Sequence, residues 1–361
     1  MSSLPDKPLS LEGFRVEFNR ALEQFLARQA ATAAQLDPLY GELLEELAHF
    51  MLRGGKRLRP YLTYLSYLGL GGHDERAITQ LSLAVELYHS AWLTHDDIID
   101  RDLVRYGGPN IAGRYVAKLR QAGTSDVEHL AGAVALVAGD LAMALSHQVV
   151  ASSARFSADS RLAAVRLMQE ITFSETGGEM LDVLAPTLKW SELSEERLLR
   201  IYHTKTAAYS FEMPLRLGAI FADASSEHQA LVPNFAVPLG IGYQLADDLL
   251  GIFGNEAELG KSVLSDLREG KRTVLLLNTL ALAGPDELAF LKSTIGDPGA
   301  GYSHLAKVRE IMESSGARAK TEALARTKID EAQAALHKIA YNSDVESVLR
   351  QLAEYTIRRH S

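Results

Sequence analysis

Asp96, Asp97 and Asp100 fall within Leu-Thr-His-Asp-Asp-Ile-Ile-Asp at 93–100, a stretch that otherwise reads as a buried apolar helix. On a helix Asp96 and Asp100 share one face, being four residues apart. Two bare carboxylates there repel each other and cost desolvation energy unless a cation lies between them. Magnesium suits the position, because it is held by one or two carboxylates together with phosphate oxygens and retained waters. Taken alone, such a run is as readily a solvated helix end. A second cluster lies about 150 residues later in Tyr243-Gln-Leu-Ala-Asp-Asp-Leu-Leu-Gly251, where Asp247 and Asp248 again interrupt an apolar helix and Gln244 precedes them by one turn. A third feature is cationic. In Arg53-Gly-Gly-Lys-Arg-Leu-Arg-Pro60 the glycines stop one helix and Pro60 suits the first turn of another, so Lys56, Arg57 and Arg59 converge on a helix N-terminus. Backbone amides, the helix dipole and several cations in one place make a diphosphate site. A basic helix-joining loop is the alternative.

These groups imply two anion sites of different character. A metal draws charge from a leaving diphosphate and helps a carbon–oxygen bond ionise, whereas lysine and arginine only anchor. No Ser, Cys or Lys is presented with a partner base, so covalent catalysis is not indicated.

The elements that position these residues are helices. Apolar residues recur at helical spacing almost throughout and period-two runs are missing, which predicts an all-α fold. Helices are predicted over Leu11 to about Ala34, with Phe14, Phe18, Leu22 and Phe25 as its stripe, and over about 38–52, 61–70 and 74–100. A loop at Arg101–Pro109 is followed by helices at about 111–121, 126–152 and 161–184. One beginning near Ser194 carries Lys205-Thr206 at its middle, and another, kinked or initiated by Pro238, ends near Phe253. Residues 254–273 read as a charged loop and a plausible lid, and 274–360 as four or five amphipathic helices.

The 361 residues are 47% hydrophobic and 23% charged, which is ordinary globular composition, and no shift along the chain argues for a domain boundary. With a net charge of −9, a nucleic-acid partner met by a general basic surface is not expected. The absence of cysteine excludes disulfides, thiol catalysis and cysteine-ligated zinc. Residues 1–10 are polar and expected to be disordered. The longest apolar stretches, such as Leu130 to Leu145, are interrupted by Gly132, Gly139 and Asp140 and are expected to fall short of a membrane span. A cytoplasmic protein is the expectation.

The motifs GGKRLRP at 54–60, HSAWLTHDDIID at 89–100, Lys205-Thr206, YQLADDLLG at 243–251 and GKSVLSDLREGKRT at 260–273 resemble those of the trans-isoprenyl diphosphate synthases, in that family's order and spacing over about 220 residues. The resemblance implies a single helical-bundle domain over 1–361 with a central active-site cavity, working as a homodimer. It implies that Asp96, Asp100 and Asp247 hold magnesium against an allylic diphosphate, with Asp97, Asp248, Gln244 and Asp266 supporting those ligands or their waters. Arg105, Lys205 and Lys261 would contact the allylic diphosphate, with Lys271 nearby and Thr206 at a kink that lets Lys205 reach in. Gly55, Lys56, Arg59 and His89 would bind isopentenyl diphosphate. The allylic bond ionises, the isopentenyl double bond attacks, and the departing diphosphate accepts the proton.

Two departures stand out. Tyr106 occupies the place of the family's second arginine after the first motif, which predicts a raised KM for isopentenyl diphosphate, since a phenol supplies no charge. Gly251 stands where a third aspartate is common. Product length in the family is limited by bulk just before the first aspartate, here Tyr88, Ala91 and Trp92, which favours farnesyl or geranylgeranyl diphosphate; aromatics at helical spacing that simply pack a core are the alternative. A class I terpene cyclase would share the fold and the first motif but would not need Lys56 and Arg59, and a non-catalytic partner subunit would explain Tyr106 and Gly251 as decay. Trp92→Ala should lengthen the prenyl product seen by mass spectrometry; an unchanged product length would remove Trp92 as the floor.

Overall fold

Helical spacing becomes helix along nearly the whole chain in this computed structural model, which describes residues 9–254 and 262–358. The all-α class is therefore observed. The chain packs as two compact units, Met1–Arg166 with Leu217–Ala224 and Leu167–Arg216 with Ser225–Ser361.

In the first unit, α1 (Leu11–Leu36) starts where Ser10 accepts the Gly13 amide at 3.0 Å, and it buries Phe14, Phe18, Leu22 and Leu26. Leu26, and not Phe25, completes the buried stripe. Ser10 is thus ordered as a cap, whereas residues 1–8 of the expected disordered terminus lie outside the described residues. Asp37 caps α2 (Pro38–Arg53), which has proline at its start. The Gly-Gly turn leads into α3 (Leu58–Gly69). The helix expected over 74–100 is divided into α4 (Glu75–Leu81) and α5 (Leu83–Ile99). Ser82 is the reason: its buried hydroxyl donates to the Thr79 carbonyl at 2.8 Å, and the Val85 amide bonds the Ser82 carbonyl, tightening one turn.

The loop after α5 contains a small antiparallel pair, β1 (Val104–Arg105) and β2 (Gly108–Pro109). Tyr106 and Gly107 make its two-residue turn with φ of 55° and 71°, the left-handed values that a type I′ hairpin needs. Asn110 caps α6 (Ile111–Gln121), and α7 (Val127–Ser152) follows. Gly132, Gly139 and Asp140 do not interrupt α7. By length and composition it could cross a membrane, contrary to the expectation from sequence, because a single glycine weakens a helix by only about 1 kcal/mol. Here it packs on α5 and α6.

Helix α8 (Ala158–Leu184) runs from the first unit into the second. In the second, Ser194 caps α9 (Glu195–Ile201), but the expected long helix then becomes a π-helix over Tyr202–Glu212, carrying Lys205 and Thr206, before α10 (Met213–Phe221). Helix α11 (Ser226–Phe253) contains Pro233 and Pro238 in its interior, so Pro238 does not initiate it. Within the expected charged loop lies α12 (Ser265–Glu269). The C-terminal part forms α13 (Val274–Leu282), α14 (Pro285–Thr294), α15 (Tyr302–Ser314), α16 (Ala317–Leu336) and α17 (Ser343–Arg358). Helix α11 packs mainly on α16 and the π-helix.

Candidate active site

In the first unit, the last turn of α5 separates its carboxylates by exposure. Asp97 is buried, Asp96 half-buried and Asp100, the C-terminal cap, exposed. Arg105 reaches back from β1, donating from Nε to Asp97 at 2.5 Å and from Nη2 to Asp96 at 3.4 Å. Burial still pushes the Asp97 carboxyl up to about 6, against the pull of Arg105. The hairpin that carries Arg105 is fixed by Arg53, whose guanidinium donates to the carbonyls of Arg105 and Pro109 at 2.8 Å each and of Gly108 at 3.3 Å. Sequence reading assigned Arg53 no role, and its only signal was its place at the end of α2.

The Gly-Gly turn does not present all its cations to one anion. Arg57, 4% exposed, turns inward at φ 56°, pairs with buried Glu86, and donates to Asn19 Oδ1 at 2.9 Å and the Met51 carbonyl at 2.6 Å. It is a buried structural cation, which corrects the expectation that it joins Lys56 and Arg59. A guanidinium can fill such a site because its fork satisfies several acceptors at once. Lys56 is exposed, and Gly55 has φ 101°, which only glycine adopts without strain. Arg59 Nη1 lies 3.2 Å from His89 Nε2. Burial, then the charges of Arg59, Arg105 and Arg57, hold the His89 imidazole well below its ordinary value, so it is neutral and Nε2 accepts from Arg59. Tyr106 lies on this turn: a Cβ on Gly54 would be 2.8 Å from the Tyr106 Cβ, and its ring is 6.1 Å from that of Phe50. It contributes packing where the family's arginine would contribute charge.

Further down α5, Tyr88 and Ala91 are fully buried and Trp92 half-buried, with the Tyr88 and Trp92 rings 6.5 Å apart.

In the second unit, α11 repeats the division. Asp248 is buried and Asp247 half-buried. Asp248 accepts from the Tyr202 hydroxyl and from Gln244 Nε2 at 2.9 Å, while Gln244 Oε1 accepts from Thr206 at 2.8 Å. Tyr202 in turn accepts the Val274 amide at 2.9 Å. Burial pushes the Asp248 carboxyl up to about 7, with Lys271 the main opposing charge. Tyr202 was not anticipated, and nothing in its sequence context distinguishes it. Lys205, from the π-helix, bonds Asp182 at 2.5 Å and Glu179 at 3.2 Å on α8. Those two acids were also missed, although their i,i+3 spacing on a helix was a signal. Burial works against the Asp182 charge, but Lys205 and Lys271 outweigh it and hold the carboxyl below its ordinary value. Asp266, at the start of α12, lies against Gly251. Lys261 falls outside the described residues, as do residues 255–260 of the segment read as a lid.

Among the described residues no three His, Cys, Asp or Glu side chains converge closely enough to cage a metal. A cation held here must therefore share carboxylate oxygens with those of a ligand. The pairing of Asp96 and Asp100 in the first unit and, taken by itself, half-buried Asp247 in the second are carboxylates of the kind that holds magnesium beside a diphosphate.

The model of the polyprenyl synthetase family matches residues 41–313. The geranylgeranyl diphosphate synthase of Sulfolobus acidocaldarius is 31% identical over 323 residues, 88% of this chain and 91% of that protein. The (2E,6E)-farnesyl diphosphate synthase of Mycobacterium tuberculosis is 29% identical over 85% of this chain and 80% of its own length. Among solved structures, the geranylgeranyl pyrophosphate synthase from Corynebacterium glutamicum complexed with isoprenyl diphosphate and magnesium aligns at a TM-score of 0.90 and 29% identity, over 97% of this chain and 99% of that one.

The raised Asp248 carboxyl has a consequence for metal-free protein. Between the ordinary carboxylate value and about 7, the folded state keeps a proton that the unfolded chain has released, so stability should fall as pH rises through that window and level off above it. Asp97 contributes with the same sign up to about 6. Asp248→Asn should flatten the upper part of the decline when urea midpoints are compared between about pH 5 and about pH 8. An unchanged slope would mean that Asp248 is already ionised at the lower pH.

Proposed function

The chain belongs to the polyprenyl synthetase family and is a trans-prenyltransferase, and we infer that it condenses isopentenyl diphosphate with an allylic diphosphate to give farnesyl or geranylgeranyl diphosphate. One observation carries this reading: the basic turn and both acidic helices lie within the matched residues 41–313. That span also runs through both compact units, which supports treating 1–361 as one catalytic domain.

In this reading Asp96, Asp100 and Asp247 hold magnesium with the allylic diphosphate. Bound magnesium supplies charge withdrawal from the departing diphosphate. Asp97 and Asp248 stay buried behind their neighbours and orient Arg105 and Gln244. Arg105 and Lys205 meet the allylic diphosphate, with Lys271 beside the acids that hold Lys205. Gly55, Lys56, Arg59 and His89 receive the isopentenyl diphosphate, with the neutral His89 imidazole holding the Arg59 guanidinium in place. Lys261 belongs to the allylic set by its motif alone. Tyr88, Ala91 and Trp92 form the floor that limits chain growth, a reading supported by their place on α5 just before Asp96, with the half-buried Trp92 ring 6.5 Å from that of Tyr88.

A homodimer is part of the proposal. Helix α7 exposes Leu130, Leu136 and Val137, and α8 exposes Phe173 (84%), Met180, Val183 and Leu184. Apolar faces of this kind mark interaction surfaces, and a second copy is the partner we propose for them.

Purified protein given magnesium, isopentenyl diphosphate and a series of allylic diphosphates should yield an elongated prenyl diphosphate. A hydrocarbon product would identify a cyclase instead, and no product would favour a non-catalytic subunit. Light scattering on the same preparation should give twice the chain mass; a monomer would exclude the dimer.

A further inference from the structure

The 11 residues of π-helix over Tyr202–Glu212 far exceed the single turn in which this conformation usually occurs, so the surroundings must favour it over α. Space is one part of the answer. A Cβ on Gly178 of α8 would lie 2.7 Å from the Lys205 amide nitrogen, and one on Gly240 of α11 would lie 2.5 Å from the Ala207 Cα. Both glycines thus admit the π-helix backbone at the turn that carries Lys205 and Thr206. At its C-terminal end the Met213 amide bonds the Ala208 carbonyl, five residues back.

A side-chain pair is the other part. His203 Nε2 lies 3.5 Å from Glu212 Oε2, and Arg216 Nη1 donates to Glu212 Oε1 at 2.8 Å. Glu212 is 8% exposed; burial works against its charge, but His203 and Arg216 outweigh it and hold the carboxyl below its ordinary value. The spacing decides what the pair can do. From 203 to 212 is about two and a half turns of α-helix, which would set the two side chains on opposite faces. With i→i+5 bonding the turn is wider, the same separation comes to about two turns, and the side chains stand over one another. The His203–Glu212 contact therefore belongs to the π register alone. Glu212 and Arg216, by contrast, are four apart, the ordinary α spacing that continues into α10. One carboxylate thus sits at the junction with an oxygen committed to each conformation.

We propose that Glu212 is a positioning residue: paired with His203 and Arg216, it locks 202–212 in the π register that brings Lys205 to the allylic diphosphate. This rests on the reading of Lys205 as an allylic-site residue and deepens it. In an α register Tyr202, Lys205 and Thr206 would not keep their separate partners Asp248, Asp182 and Gln244. Glu212 touches none of these partners in the recorded hydrogen bonds and acts through the backbone between 203 and 212.

The test measures KM for each substrate, and amide hydrogen exchange over 202–213 by mass spectrometry, on the full chain. His203→Leu removes the donor at a half-buried position, and Glu212→Gln removes the charge. Each should raise KM for the allylic diphosphate about tenfold, the weight of one charge-assisted hydrogen bond, and speed exchange over 202–213. KM for isopentenyl diphosphate should stay unchanged, since the residues assigned to it lie in the first unit. His203→Lys keeps a donor at 203 and should hold both readings at wild-type values. If Glu212→Gln does not fold, His203→Leu against His203→Lys still decides. An unchanged allylic KM in His203→Leu and Glu212→Gln would overturn the proposal, even with faster exchange, because a merely structural pair gives that result. A loss in His203→Lys equal to that in His203→Leu would overturn it as well. A wild type without prenyl transfer whose exchange still follows the pair would sink the proposed activity and leave the register lock standing. Prenyl transfer with neither reading moved by the variants would do the reverse.

Discussion

Adjacent carboxylates cannot both be bare and both be charged in a low-dielectric helix, and the structure answers that constraint in the same way twice. In Asp96-Asp97 and in Asp247-Asp248 the second aspartate is buried and satisfied by the protein, which leaves the first half-exposed. Burial is the main cause of the raised Asp97 and Asp248 carboxyls, and the neighbouring charge of Asp96 adds a little at Asp97. The two helices use different partners. Asp97 takes a guanidinium from a hairpin, whereas Asp248 takes neutral donors, Tyr202 and Gln244, and is pushed further up. The surrounding residues of each unit hold those partners in place. Arg53 fixes the hairpin that carries Arg105. Thr206 and the Val274 amide close the network around Gln244 and Tyr202.

The π-helix belongs to the same logic. By widening the backbone at Tyr202–Glu212 it lets three functional side chains serve different neighbours: Tyr202 turns to Asp248, Lys205 to Asp182 and Glu179, and Thr206 to Gln244. A regular α-helix sets residues 202, 205 and 206 on one face. Long π stretches are uncommon and tend to occur at functional positions. Arg57 shows the opposite use of a motif residue. A cation flanked by Lys56 and Arg59 in sequence is consumed by Glu86 and Asn19, and it anchors the turn that its neighbours use.

Most of the architecture was legible beforehand because periodicity and capping are local. Ser10, Asp37, Asn110 and Ser194 cap helices close to where the apolar pattern begins, and the C-terminal helices appear as expected. The errors came where a nonlocal or fine backbone preference prevailed. The Ser82 break and the π-helix leave hydrophobic spacing almost unchanged, so periodicity cannot register them. The hairpin at 104–109 is too short for an alternating pattern, and Tyr106 is not a residue that announces a left-handed turn.

The sequence by itself determined the all-α class, the order of the motifs and the sharing of one helix face by Asp96 and Asp100, since residues four apart on a helix share a face whatever surrounds them. Only the tertiary structure decided which acids are buried, which cations remain available and which acids they meet. Arg57 went inward, Arg53 became the clamp, Lys205 found Glu179 and Asp182, and Asp266 came to rest against Gly251. Each of those choices joins residues distant in sequence or sets one side chain's burial. They are fixed by how helices pack and by the cost of leaving a buried charge without a partner, neither of which is written in local spacing.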